Sequence, residues 1–237
     1  MTNILLNINN FGDEFSFNKL KRIIKKHHNV LIIPFSYHED YIRNAEEYTR
    51  EFSKGSREIE DIIKEFVKFG IRRKNIRILH YYNDSSETIR NKFKHADIIF
   101  FTGGYPGKAL YRIDTLGIRD YIANFKGIVM GTSAGAMIQL DKYHVTPEEN
   151  GEEYEYHENG LGLISGFDIE VHYEPDFLHL SGLITDLKLH DVKIYAMPNT
   201  GGLIIRNGKI TKIGDTFEIT RNDIETLQNE LNSLLDK

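Results

Sequence analysis

Cysteine is absent from the 237 residues. That absence removes disulfides, cysteine-ligated zinc, iron–sulfur clusters and thiol nucleophiles together, and it fits a cytoplasmic protein. Long apolar runs are also missing. None approaches the roughly 20 residues that cross a bilayer, so no membrane partner is expected. The opening MTNILLNINNFGDEF has neither a basic stretch nor a long apolar core and does not read as a signal peptide. Basic charge is in short supply too. Thirty Lys and Arg stand against 35 Asp and Glu, a formal net charge of -5, which argues against nucleic-acid binding. No internal repeat, low-complexity segment or linker interrupts the chain, so a single α/β domain over 1–237 is expected.

What remains is ordinary globular composition, 40% hydrophobic and 27% charged, on a chain long enough for a sizeable core. Strand and helix patterns alternate along most of it. Short apolar runs, Leu5 to Ile8, Val30 to Phe35, Ile76 to Leu79, Asp97 to Phe101 and Gly127 to Met130, have the continuous character of strands buried on both faces. Between them, Ile59, Ile62, Ile63, Phe66 and Val67 form a helical stripe that Gly70 ends, and 86–94 reads as a short helix. The pattern predicts a doubly wound, mostly parallel sheet with helices on both faces, of the flavodoxin-like kind. Residues 141–166 read as an acidic loop. Later, Asn207-Gly208 between two β-rich runs predicts a C-terminal hairpin. Asn222 to Glu225 reads as a capping box ahead of a last helix with Ile224, Leu227, Leu231 and Leu234 on one face.

Sheets of this kind gather their sites at the carboxyl ends of strands, and two glycine-rich turns fall there. Gly131-Thr132-Ser133-Ala134-Gly135 fits the G-x-S-x-G elbow, in which a serine sits on a sharp strand-to-helix turn and small residues on either side let the chain pass close to itself. The amide of Ala134 would then face a developing oxyanion. Thr102-Gly103-Gly104-Tyr105-Pro106-Gly107-Lys108 fails as a phosphate loop, because Thr102 stands where glycine is needed and Ala109 follows the lysine. Gly103 and Gly104 read instead as backbone brought close to a reacting group, with an amide as second oxyanion donor.

A serine nucleophile needs a base. Among ten histidines, His172 ends the alternating run FDIEVHY, in which Phe167, Ile169 and Val171 share one face and Asp168, Glu170 and His172 the other. His144, His157, His179 and His190 are weaker candidates. No histidine pair has metal-ligand spacing with a carboxylate, so neither a metal nor a cofactor is expected.

FTGG after one strand, GTSAGA after the next, then GLGL and a strand ending in HY together resemble the dipeptidase E and cyanophycinase family of serine peptidases. The resemblance runs from VLIIPFS through AMPNTGGLII. It implies a fold similar to class I glutamine amidotransferases with serine in place of their cysteine. It further implies Ser133 as nucleophile, His172 as general base, the amides of Gly104 and Ala134 as oxyanion hole, and a small peptide with a free N-terminus as substrate. Glu148 is the best match to the family's third, acidic member, with Glu149 and Asp141 as rivals. Tyr105 stands where the family has Asn, and Asn199 where aspartyl dipeptidases have an acid. Gly103, Tyr105 and Asn199 are thus the expected substrate contacts. The stretch PDFLHLSGLITDLKLH lacks the arginines that suit an N-terminal aspartate. If 141–166 folds over the site, its carboxylates would favour a free amine or a cationic residue instead.

Two other readings share these residues. An esterase of the α/β-hydrolase type would place its histidine far downstream, whereas 39 residues separate Ser133 from His172. A non-catalytic binding member of the same fold is the remaining alternative. Whether the chain acts alone or as a homodimer is left open.

Overall fold

The computed structural model describes residues 1–147 and 154–235. In chain order the elements are β1 (Thr2–Leu6), α1 (Glu14–Leu20), β2 (Val30–Ile33), α2 (Ala45–Glu51), α3 (Arg57–Lys68), β3 (Ile76–Ile78), α4 (Ser86–Lys94), β4 (Ile98–Phe101), α5 (Pro106–Thr115), α6 (Arg119–Ala123), β5 (Ile128–Thr132) and α7 (Ala134–Met137). There follow β6 (Tyr143–Val145), β7 (Glu155–His157), β8 (Asp168–Val171), α8 (Phe177–His190), β9 (Ile194–Met197), β10 (Gly202–Arg206), β11 (Lys209–Ile213), β12 (Phe217–Ile219) and α9 (Ile224–Leu235).

The main sheet has seven strands in the order β11-β10-β1-β5-β4-β2-β3. Its five strands from β1 to β3 run parallel, while β10 and β11 join antiparallel at the edge. Every residue of β1, β2, β4 and β5 is buried. Successive strand side chains point to opposite faces, so burial of all of them means both faces are covered. The β10–β11 hairpin turns through Asn207 and Gly208 with φ of 51° and 73°, the left-handed pair that a tight hairpin needs.

Four local expectations shift. The first strand covers Thr2–Leu6 rather than Leu5 to Ile8, because its pairing with β5 and β10 begins at Thr2. The acidic segment is not all loop: β6 and β7 pair antiparallel within it. The capping box forms at Thr220 and Asp223, whose side chains bond reciprocally, two residues ahead of the expected place. And the histidine-bearing strand, β8, lies outside the main sheet. It belongs to a three-stranded sheet, β12-β9-β8, in which β8 runs parallel to β9. Helices α8 and α9 pack on this small sheet through Leu180, Leu183, Leu187, Ile194, Ala196 and Leu227. Among the described residues no helix is long and apolar enough to cross a membrane.

Candidate active site

Ser133 leaves β5 with φ 50° and ψ -121°, a backbone conformation that costs an L-residue on the order of 1–3 kcal/mol. Several contacts hold it there. Its N–H donates to the Leu6 carbonyl at 3.0 Å, and its own carbonyl accepts from Ala136 and Met137 at 2.8 and 3.1 Å. The two flanking glycines permit the turn. A side-chain carbon at Gly131 would overlap the carbonyl of Gly135, and one at Gly135 would overlap the carbonyl of Phe101.

His172 reaches the same point from the small sheet. The alternation of FDIEVHY ends one residue early, because His172 takes φ 56° and swings out of the strand line. Its Nε2 lies 2.9 Å from Ser133 Oγ. Its N–H donates to Asn7 Oδ1 at 2.6 Å, and Asn7 Nδ2 donates to Asn199 Oδ1 at 3.0 Å. Asn7 directly follows β1, whose Leu6 pairs with Thr132. One strand end thereby fixes both the nucleophile's backbone and the histidine's. Sequence reading missed Asn7, since nothing local marks an asparagine that acts 165 residues away. Asn199, expected as a substrate contact, accepts from Asn7 in the structure.

The Gly103-Gly104 turn sits across from the elbow. A side-chain carbon at Gly103 would lie 3.3 Å from Ser133 Cβ. Gly104 has φ 126°, and any side chain there would overlap the Ser36 carbonyl, so glycine is required twice over. Ser36 clamps the turn: its Oγ donates to the Thr102 and Gly103 carbonyls, and its carbonyl accepts from the Tyr105 N–H at 2.6 Å. Among the described residues the amides of Gly104 and Ala134 donate to no acceptor. Tyr105 precedes α5, is 43% exposed, and packs its ring against that of His38 at 5.2 Å.

Ser133, His172 and Gly104 open into a cavity of about 420 Å³, lined also by Val145, Thr146, Pro147, Glu170, Asp176 and His179. It lies at the carboxyl ends of the strands. A larger, more open hollow of about 1070 Å³ lies at the amino ends of β4 and β5, beside Asp97 and Ile128, away from the elbow. Glu148 and Glu149 fall outside the described residues. Asp141 spends one oxygen on the Lys142 N–H and does not line the cavity.

Behind the cavity wall lies a buried polar group that the sequence did not announce. His144, 1% exposed, donates from Nδ1 to Asp168 Oδ2 at 2.9 Å and bonds through Nε2 to Glu170 Oε2. Burial works against a charge on His144, but the carboxylates of Asp168 and Glu170 outweigh it and raise the imidazole well above its usual range. Burial likewise pushes the Asp168 carboxyl up, against the lowering pull of His144. Asp186, on α8, accepts from the Tyr154 hydroxyl at 2.6 Å, and its other oxygen has no donor among the described residues. His144, Asp168 and Asp186 are near enough together to be weighed as metal ligands. Both ring nitrogens of His144 are already bonded to carboxylates, however, so the arrangement reads as a buried ion network. Of the other histidines, His157 pairs with Glu155 and His190 stacks on Tyr156.

The model of peptidase family S51 matches residues 13–213. No curated sequence matches the chain. Among solved structures, a candidate peptidase E from Listeria monocytogenes EGD-e superposes with a TM-score of 0.63 at 17% identity, over 89% of this chain and 96% of that one. A peptidase from an acI-B1 Actinobacterium gives 0.61 at 18% identity, over 92% and 93%. At such identities the likeness carries the fold, an α/β architecture around a mostly parallel sheet. The family match reaches further, across most of the chain: the protein belongs to peptidase family S51 and is a serine-type peptidase.

Proposed function

We propose that the protein hydrolyses short peptides with a free N-terminus, using Ser133 as nucleophile, His172 as general base and Glu148 as the acid that orients the imidazole. The observation that carries this reading is the 2.9 Å contact between His172 Nε2 and Ser133 Oγ, made by two residues that both hold positive φ. Strained backbone clusters at functional sites, and here two such residues face each other.

In this scheme Ser133 Oγ attacks the scissile carbonyl carbon while its proton passes to His172 Nε2. The tetrahedral oxyanion rests on the amides of Gly104 and Ala134. The imidazolium then returns the proton to the leaving amine, and the C–N bond breaks. Water repeats the sequence on the acyl-serine and releases the acid.

Release of free amino acids from a panel of dipeptides and tripeptides tests the reading, with N-terminal Asp, Lys, Arg and neutral residues represented. The wild type is expected to turn over part of the panel and Ser133→Ala none of it. A folded wild type that cleaves no peptide, or equal turnover by Ser133→Ala, would overturn the proposal. The acid is tested by Glu148→Gln, expected to cut turnover by about 10²–10⁴-fold; an unchanged rate would return the role to Glu149 or Asp141.

A further inference from the structure

The cavity that opens at Ser133 has a second wall, built from β8 and α8, and its charges bear on what the substrate must carry. Glu170 lies two residues before His172 on the chain, is only 2% exposed, and yet lines the cavity. Its two oxygens differ. Oε2 accepts from His144 Nε2 and from Thr146 Oγ1, the latter at 2.9 Å. Oε1 accepts no hydrogen bond from any described residue; His179 Nε2 lies 3.7 Å from it.

The state of His179 follows from its other nitrogen. Nδ1 lies 3.0 Å from both oxygens of Asp176. A carboxylate only accepts, so Nδ1 carries a proton, and in the neutral tautomer that leaves Nε2 with a lone pair. That lone pair faces Glu170 Oε1. Burial works against a charge on Asp176, but the donors of His179 outweigh it and hold the carboxyl below its usual range. The two atoms lie 3.7 Å apart on the cavity wall, Glu170 buried and the His179 side chain 19% exposed, and a donor placed between them would serve both. No lysine or arginine lines the cavity among the described residues.

We propose that Glu170 Oε1 and His179 Nε2 form a subsite for a primary ammonium group of the substrate, an inference that rests on Ser133 being the nucleophile of this cavity. A primary ammonium has three N–H donors, enough to serve both acceptors at once, and its charge is matched by Glu170. A substrate carboxylate at the same place would meet Glu170 and Asp176 and be repelled. The substrate class is therefore a peptide bearing an α-ammonium or a lysine-type side chain near the scissile bond.

The test begins with a neutral alkyl fluorophosphonate, which reads the nucleophile without needing an ammonium. Labelling of Ser133 is followed in the presence of n-butylammonium or n-butanol. Protection by the amine and not by the alcohol is expected in the wild type, and Glu170→Gln is expected to lose it. Equal protection by the two, or none by either, overturns the subsite while leaving the nucleophile standing. No labelling at all overturns the nucleophile and the subsite together. The wild-type comparison decides the matter even if Glu170→Gln fails to fold.

Four peptides then separate the two sources of the ammonium: Lys-Leu, norleucyl-Leu, Nα-acetyl-Lys-Leu and Nα-acetyl-norleucyl-Leu. The last should be turned over about 10- to 100-fold less efficiently than the best of the others, as befits a lost charge-assisted contact. Loss on acetylation alone assigns the subsite to the α-ammonium, and loss on replacing lysine by norleucine alone assigns it to the side chain. Equal kcat/KM across all four contradicts the proposal.

Discussion

The side-chain oxygen of Asn7 accepts the backbone N–H of His172 at 2.6 Å, next to the point where Leu6 accepts the N–H of Ser133. The end of β1 thus references the nucleophile and the histidine to one piece of backbone, although they belong to different sheets. Asn7→Ala is expected to lower kcat by about 10–10²-fold with little change in KM, since small displacements of a reacting group cost that much. Asn7→Asp keeps the acceptor for His172 and should retain more activity than Asn7→Ala. Steady-state kinetics of the two variants check this, and an unchanged kcat in Asn7→Ala would contradict it.

Gly104 holds a left-handed backbone against the Ser36 carbonyl. Gly104→Ala should cut turnover by about 10²–10³-fold, the usual cost of removing one oxyanion donor, and lower the melting temperature. Gly107 makes the control. It lies in the first turn of α5, and a side-chain carbon there meets nothing within 4 Å. Gly107→Ala should be neutral or slightly stabilising, by up to about 1 kcal/mol. Equal losses in the two variants would mean that the Gly104 turn has no special role.

His144 joins two buried carboxylates, Asp168 and Glu170. Removing it strands both carboxylates, each only 2% exposed, so His144→Ala is expected to cost about 3–5 kcal/mol, the penalty for breaking a buried ion pair by deleting one partner. The pKa of His144 is raised in the folded state. Its stabilisation is therefore complete below the unfolded value near 6.5 and is lost as pH climbs through the higher folded value. Denaturant titrations at pH 6 and pH 10 should show the wild type losing stability across that span, with the variant flatter. A loss below about 1 kcal/mol at pH 6 would show the network to be unimportant for folding.

Glu58 offers a stability test away from the cavity. Burial, helped by the charge of Glu51, pushes its carboxyl up to about 7. The folded state then binds the proton more tightly than the unfolded chain. The folded protein is accordingly favoured at pH below the ordinary carboxylate value and loses that advantage as pH rises toward 7. Glu58→Gln removes the effect. It should match the wild type at pH 4.5 and exceed it at pH 8 by on the order of 1–2 kcal/mol, less than the full shift implies because the side chain is partly open to water. Thermal melts at the two pH values check this; an equal gain at both would contradict it.

Features that were legible in the sequence are those whose causes are local. The elbow could be read because Gly131 and Gly135 flank Ser133 and are needed there sterically, and the hairpin because Asn207-Gly208 carries its own backbone preference. The stripe on α3 likewise announced itself, with Ile59, Ile62, Ile63 and Phe66 all buried. His172 could be placed at a strand end, but its positive φ depends on the distant Asn7. That β8 pairs with β9 and β12 in a separate sheet is a matter of long-range pairing, which alternation does not encode. The same holds for Glu170: alternation placed it on the face opposite Ile169, and its role as cavity wall emerges only once His144, Thr146 and His179 are brought to it from two other segments.

The central claim is that Ser133 is a nucleophile activated by His172. Mass spectrometry of the protein after treatment with a neutral fluorophosphonate tests it most directly, comparing the wild type, Ser133→Ala and His172→Gln. The account predicts a single adduct on Ser133 in the wild type, none in Ser133→Ala, and labelling slowed by at least about 10³-fold in His172→Gln. An adduct on another residue, or a rate that does not depend on His172, would contradict it.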